Sequence, residues 1–347
     1  MFDLSVLPLS MLLLAFALAA LLIAYAGVRL AQSAEVIALE SGLGQALVGA
    51  LFLGASTSIS GSILSFYAAA SDHPSLAISN AIGGIAAQTA FLAIADFTLK
   101  NTNLEHAASS LENLLQSALL MILLAIPVLA YSLPAWTLWG VSPASLALLV
   151  MYLAGLVLVR GASDDPQWTP KVTSVTQQEP EAPIPGAGEG KPLRWHIERF
   201  VVLALVLAAA GVGLAESAIE VSSRTGLSET AVGALVTSVI TSLPELITVL
   251  AAVRQGALNL AVGDIIGGNS FDVLFLAGSD VFYRGGSLYQ ALERDHLLQI
   301  ATVIIMAGIL LLGQMRRQEK GPANVGFESI TVLVLYVCFV AYILLGA

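Results

Sequence analysis

The stretch VGALVTSVITSLPE (residues 232–245) has a counterpart 184 residues earlier, VGALFLGASTSISG (residues 48–61). Both open on VGAL, and Thr57-Ser58 falls on Thr241-Ser242. The same offset, with no gap, puts Leu76-Ala77 on Leu260-Ala261 and Ile82-Gly83-Gly84 on Ile266-Gly267-Gly268. It also puts Phe91-Leu92-Ala93 on Phe275-Leu276-Ala277 and Asp96 on Asp280. Over residues 48–96 this makes 17 identities in 49 positions. Apolar helices match one another in Leu and Ala by composition alone. Thr-Ser, Gly-Gly and Asp matched at one fixed offset require an internal repeat.

Around this repeat the chain of 347 residues is 57% hydrophobic and only 11% charged, with a mean hydropathy of +0.86. Soluble domains carry about 25% charged residues. A soluble enzyme, a disordered chain and a coiled coil are excluded, and continuous apolar runs argue against a β-barrel. The composition predicts an all-α polytopic membrane protein. Net charge is −10, with 24 acids against 14 bases, so nucleic acid is not an expected partner. The expected partners are the lipid bilayer and inorganic cations. The single cysteine, Cys338, allows neither an intrachain disulfide nor a thiolate cluster. The four histidines fall in loops or at span ends, and no resident cofactor is expected.

Ten apolar stretches are legible, near 6–28, 44–70, 75–98, 113–132, 135–159, 199–218, 230–252, 257–281, 297–314 and 326–345. Each is about the length that crosses a bilayer. The first, without a basic leader or a small-residue cleavage site, reads as a retained span. The longest polar interruption holds six of the thirteen prolines and reads as a flexible linker. The expected organisation is a five-helix repeat over 1–159, a linker over 160–198 and a second five-helix repeat over 199–347. Basic residues favour cytoplasmic loops. With both termini outside and the linker inside, eleven of the fourteen bases are cytoplasmic, leaving Arg224, Arg284 and Arg294 outside. Five spans per half invert the second copy, the plan of secondary transporters with a site near the midplane. A multi-pass inner-membrane protein is the expected location.

Pro244 lies in mid-span, where its missing N–H and its ring force the helix to open near Ile240 and Thr241. Freed carbonyls there need partners, and a cation is one. Thr241 and Glu245, four apart, share a helix face. A carboxylate at bilayer depth costs several kcal/mol and marks function. The next span carries GDIIGGNSFD (263–272), where Asn269 and Asp272 share a face and Gly267-Gly268 permits close helix approach. Asp264 lies nearer the start of that span, where it suits an end cap as well as a ligand. Asp96 and Asp280 read as helix-end residues.

Thr-Ser-Leu-Pro-Glu at 241–245, followed by Gly-Gly-Asn-Ser-Phe-Asp at 267–272, resembles the second α-repeat of the calcium/cation antiporter superfamily, the sodium/calcium exchangers. The resemblance implies Thr241, Ser242, Glu245, Asn269 and Asp272 as cation ligands. It implies antiport of Ca²⁺ or another cation against Na⁺ or H⁺ by alternating access, with spans 1 and 6 sliding past the rest.

The first repeat departs from that pattern. The offset sets Gly61 against Glu245, Ser60 against Pro244, Ile85 against Asn269 and Gln88 against Asp272. Its candidates, Thr57, Ser58 and Gln88, are neutral. The hydroxyls could equally bond back to their own helix, and Gln88 could be an interhelical partner. Ca²⁺ takes 6–8 oxygens and usually two or more carboxylates. Two acids from one half match a divalent ion but not several sodium ions at once. Monovalent cation/proton exchange and a non-transporting cation sensor therefore stand as alternatives. No enzyme motif occurs: His-Glu-x-x-His and the phosphate loop are absent, and Ala261 stands where a Gly-x-Gly-Asp protease needs glycine.

Overall fold

A computed structural model describes residues 7–40, 54–99, 102–108, 110–164, 168–169, 171, 190–318 and 325–346. Their regular structure is helical, and their one β-feature is an isolated bridge between Leu138 and Val141. In chain order the main elements are α1 (Leu9–Glu40), α2 (Gly54–Thr57), α3 (Ile59–Ala70), α4 (Pro74–Asp96), α5 (Leu104–Ala107), α6 (Leu111–Ser132) and α7 (Pro143–Asp164). The second half continues with α8 (Leu193–Thr225), α9 (Glu229–Thr241, with a π-helical stretch over Val232–Thr237), α10 (Leu243–Gln255), α11 (Leu258–Phe282), α12 (Arg294–Arg316) and α13 (Phe327–Gly346).

Eight of these helices are long and apolar enough to cross a membrane. The pair α9–α10, bent by 46° at a break, makes a ninth. Helix α3 is the shorter apolar remainder of the expected span 44–70, whose residues 44–53 lie outside those described.

Element bounds repeat at the offset seen in the sequence. Helices α1 and α8 start 184 residues apart, as do α3 and α10, α4 and α11, and α7 and α13. The single turn α5 recurs as a 3₁₀ turn at Leu288–Ala291. Among the described residues the repeat thus extends from the first helix to the last, far beyond the stretch where identity is visible. Hydropathy placed some ends wrongly. Helix α1 runs on to Glu40, and α8 spans 193–225 until Gly226, at φ +74°, turns it off in the left-handed region. These outer turns carry charges that interrupt the apolar runs, Arg29, Glu35 and Glu40 in α1 and Arg194, Glu198, Glu220 and Arg224 in α8. The span expected at 135–159 begins at Pro143. Leu133, ahead of Pro134, is extended and ends α6.

Helix α4 is buried along almost its whole length, and α11 along most of its own, whereas α1, α7 and α13 expose most of their apolar surface. The central pair approaches its neighbours through glycine: a Cβ on Gly83 would lie 2.6 Å from the Ala234 Cα. Two further glycines sit at equivalent crossings. Gly27 of α1 lies against the Pro244 ring, and Gly211 of α8 lies against the backbone of Ser60, where a Cβ would come within 2.6 Å of the carbonyl oxygen.

The acids read as helix-end residues form a matched pair of clamps. Asp280 accepts from the backbone N–H of Leu288 (2.8 Å) and of Ser142 (2.7 Å) and from the Ser145 hydroxyl (2.7 Å). Asp96 accepts from the backbone N–H of Leu104 (2.7 Å) and of Gly326 (3.3 Å), with the Ser329 hydroxyl beside it. Each backbone donor in one clamp is the 184-residue equivalent of a backbone donor in the other, and Ser329 is the counterpart of Ser145. Each clamp ties the end of a central helix to the start of the other half's last helix, and holds a carboxylate fully buried from solvent.

Candidate cation site between the repeats

The two broken helices set the site. At Ser242 the backbone leaves helical geometry (φ −94°, ψ 6°), separating α9 from α10. At Ser58 it does the same (φ −84°, ψ 4°), separating α2 from α3. Proline is therefore not required for the break, since Ser60 occupies the place of Pro244. Each break presents a serine hydroxyl and the end of a short helix to the centre of the molecule.

There the two halves meet in a symmetric hydrogen-bond set. Gln88 Nε2 donates to Asp272 Oδ2 at 2.7 Å, and these residues are equivalent positions of the repeat. Ser58 Oγ donates to Asp272 Oδ1 at 2.6 Å, and Gln88 Nε2 reaches Ser242 Oγ at 3.3 Å, the counterpart contact.

Beside this set lies a cavity of about 10 Å³, room for one water-sized occupant. Glu245, Asp272, Thr241, Ser242, Ser58 and Gln88 line it. Thr57 is behind the lining, within hydrogen-bond reach of Glu245. Its hydroxyl donates to Gly54 O at 3.0 Å, the local bond anticipated as the alternative to ligation.

Asn269 and Asp264 are not in the lining. Asn269 Nδ2 donates to Thr89 Oγ1 of α4 at 3.0 Å, and its Oδ1 is buried with no hydrogen-bond partner among the described residues. Asp264 is half-buried two turns before Asp272, within electrostatic reach of Glu35 of α1 and of Glu245. Asn80 lines the cavity and was not anticipated. It donates to Gly61 O (3.2 Å) and Ser65 Oγ (3.0 Å) and accepts from Thr237 Oγ1 (2.8 Å). The one signal for it is the offset, which places Asn80 opposite Asp264.

Charge and valence define what the cavity suits. Glu245 and Asp272 are almost fully buried, and among the described residues neither forms an ion pair with a base. Asp272 is held only by neutral donors. Glu245 Oε2 and Gln88 Oε1 are buried with no hydrogen-bond partner among the described residues. Buried acceptors without donors are costly, and a cation satisfies them. The described residues contain no cluster of three His, Cys, Asp or Glu able to hold a metal. Any cation here would complete its shell with hydroxyl and amide oxygens, the ligands that hard, weakly polarisable ions accept.

Comparison with known proteins follows the same division of the chain. The sodium/calcium exchanger protein family matches residues 11–160 and 195–345. A putative antiporter CaxA of Alkalimonas amylolytica is 32% identical over 129 residues, which are 36% of this chain and 40% of that protein. The sodium/calcium exchanger MaX1 of Methanosarcina acetivorans is 27% identical over 141 residues, 39% of this chain and 40% of its own length. The matched segments thus span about two-fifths of those relatives. Among solved structures, an H⁺/Ca²⁺ exchanger CAX superposes with a TM-score of 0.68 at 14% identity, covering 96% of this chain and 82% of that one. The sodium-calcium exchanger NCX_Mj superposes at 0.59 and 19% identity, covering 95% and 98%. At such identities the likeness concerns the fold, which is that of exchanger membrane regions. With two half-chain matches that bracket the linker, the chain belongs to the sodium/calcium exchanger protein family.

Proposed function

We propose that this protein is a secondary active cation antiporter that binds its ion in the cavity between the two broken helices. It exchanges Ca²⁺ or another cation for Na⁺ or H⁺ by alternating access. The observation that carries this reading is the pair of buried carboxylates, Glu245 and Asp272, set among acceptors with no basic partner. The proposed topology is ten spans in two inverted halves, with both termini outside and the linker cytoplasmic, in a cell or inner membrane. The movement proposed is a slide of α1 and α8 across the breaks. Their glycine crossings at Pro244 and Ser60 offer flat contact surfaces on which one helix can move without disengaging side chains.

A second reading, monovalent cation/proton exchange, draws on Gly61. Its position leaves the first half without a carboxylate, so the cavity's fixed charge cannot exceed two. Purified protein in liposomes, tested for uptake of Ca²⁺, Mg²⁺, Mn²⁺, Na⁺ and K⁺ against imposed sodium and proton gradients, separates these readings. Calcium uptake driven by either gradient supports the first. Flux of monovalent ions alone supports the second. No counter-ion-dependent flux of any ion defeats antiport and leaves a cation sensor.

A further inference from the structure

The two aspartate clamps share their backbone donors but not their surroundings. In the Asp280 clamp, Tyr289 caps the Ser145 hydroxyl at 2.9 Å, and Ala144 stands beside it. The equivalent positions around Asp96 are Glu105 and Glu328. Both are fully buried, as is Asn103 next to them. This clamp is on the linker face of the molecule, where Arg317 Nη1 donates to the carbonyl of Lys171 at 2.7 Å.

The cluster is rich in acceptors and poor in donors. Asn103 Nδ2 donates to Glu328 Oε1. The Glu105 carboxyl abuts that of Glu328 within hydrogen-bond range, acceptor against acceptor. Both Glu105 oxygens, Glu328 Oε2 and Asn103 Oδ1 have no partner among the described residues. Asn103 Oδ1 can only accept, so something must donate to it.

The charged groups on each packed element do not supply that donor. From α4 comes Asp96, a further acid already bound by two backbone N–H groups. From α12 and its end come Arg316, stacked over the Phe327 ring, and Arg317, whose guanidinium donates to the carbonyls of His106 and Lys171. His106 of the same segment is engaged through Nδ1 with the Arg317 carbonyl. The first turn of α6 brings Glu112, and α11 brings Asp264, which faces Glu35. The described residues give the cluster no ion pair with a base and no geometry able to hold a metal. Neighbouring carboxylates that cannot all ionise share protons.

We propose that Glu105 and Glu328 form a carboxylic-acid pair that binds one proton at neutral pH, a protonation site separate from the central cavity and built into the linker-face clamp. One O–H then supplies the missing donor, to the partner carboxylate or to Asn103 Oδ1, and the pair carries a single negative charge. Burial first, and then the charges of Asp96 and Glu328, push the Glu105 carboxyl well above the usual carboxylate range. Loss of the proton sets two anions against each other at the first turn of α13 and loosens that helix from α4.

The sign of the pH effect follows. The folded pair holds its proton more tightly than the unfolded chain does, so stability falls as pH climbs through and above the ordinary carboxylate range. Two measurements on the purified full chain test this. The first is infrared difference spectroscopy between wild type and E105Q at neutral pH. It should show a protonated-carboxyl stretch, sensitive to deuterium, that the variant loses. The second is the melting temperature from about pH 5 to about pH 8 for wild type, E105Q and E105Y/E328A, bracketing titration of a raised carboxyl. The double variant installs the residues of the other clamp and stands in if E105Q does not fold. Wild type should lose a few degrees relative to either variant as pH rises. Parallel curves with no lost band would overturn the proposal. So would a wild-type pH slope that added Ca²⁺ or Na⁺ abolishes, since that outcome assigns the cluster to a metal cation.

Discussion

At residues 54–61 and 238–245 the chain breaks a central helix at the same place, with nearly the same dihedrals at Ser58 and Ser242. The chemistry laid over the two breaks differs. The second carries Pro244 and Glu245, and the first carries Ser60 and Gly61. The partner helices differ in parallel, with Asp272 in one and Gln88 in the other. Backbone geometry is therefore a property of the repeat, whereas charge is a property of one half. The consequence is a cavity whose two carboxylates both come from the second half, held by neutral donors from the first.

The sharpest way to break this comparison is to remove the charge and keep the shape. Glu245→Gln preserves the volume and one acceptor but deletes the charge that no base balances. A charged, buried ligand is worth about 3 kcal/mol, or about 100-fold in binding. Flux in liposomes should fall by at least that factor while the protein remains folded and monodisperse. Wild-type flux would remove Glu245 from the ion site.

The next test addresses the crossings. Gly27→Leu places a side chain where the Pro244 ring already lies, and Gly211→Leu places one on the carbonyl of Ser60. Overpacking costs about 1–3 kcal/mol each. If the two helices slide across equivalent surfaces, both variants should lose melting temperature and transport together. A variant at Gly211 that transports normally would show that only the proline-bearing break takes part in the movement.

Much of this arrangement was legible in the sequence, for reasons tied to particular residues. Apolar runs and a fixed offset reveal the helices and the repeat, because bilayer solvent leaves few other ways to bury a backbone. Glu245 and Asp272 stand out because acids are costly there. Ser58 and Gln88 become visible only through their equivalents Ser242 and Asp272. The direction in which Asn269 and Asp264 point was not legible. A shared helix face spans a wide arc, and Thr89 and Glu35, which face them, come from distant segments. Asn80 escaped because a neutral amide carries no signal of cost. The acid pair at Glu105 and Glu328 escaped because 223 residues separate two members that each read as loop or helix-end polarity.

A smaller effect comes from giving the first half its own acid. Gly61 faces Thr241 Oγ1 and Phe275, and a Cβ there would lie 3.4 Å from the hydroxyl oxygen and 3.2 Å from the ring. Gly61→Glu therefore requires the Phe275 ring to yield by a few tenths of an ångström. It would then bring a third carboxylate to the cavity edge. The variant should melt lower than wild type in chelator and recover on calcium addition. A tenfold gain in affinity corresponds to about 1.4 kcal/mol of added stabilisation at saturating ion, as ligand linkage requires. Larger calcium stabilisation of the wild type would mean that two carboxylates and neutral oxygens already make a divalent site.

The smallest expected effect is the most informative about how the backbone is encoded. Pro244→Ser gives the second break the residue of the first. If proline alone opened the helix, the variant would close it, restoring the bond between residue 244 and the carbonyl of Ile240 and reorienting Glu245. But Ser60 sits at the equivalent position, and the helix still breaks at Ser58. What the two breaks share is the serine itself, hydrogen-bonded to the other half, Ser58 to Asp272 and Ser242 to Gln88. Those bonds and the packing of Gly27 and Gly211 hold the breaks open from outside the helix. Pro244→Ser should therefore change the melting temperature by no more than about 1 kcal/mol would, within ordinary surface-to-core variation. Transport should stay within a few-fold of wild type. Ser242→Ala, which removes the hydroxyl that Gln88 reaches, should cost more than the proline change. The opposite ranking, with proline loss abolishing flux and serine loss tolerated, would show that the two halves reach the same geometry by different physical means.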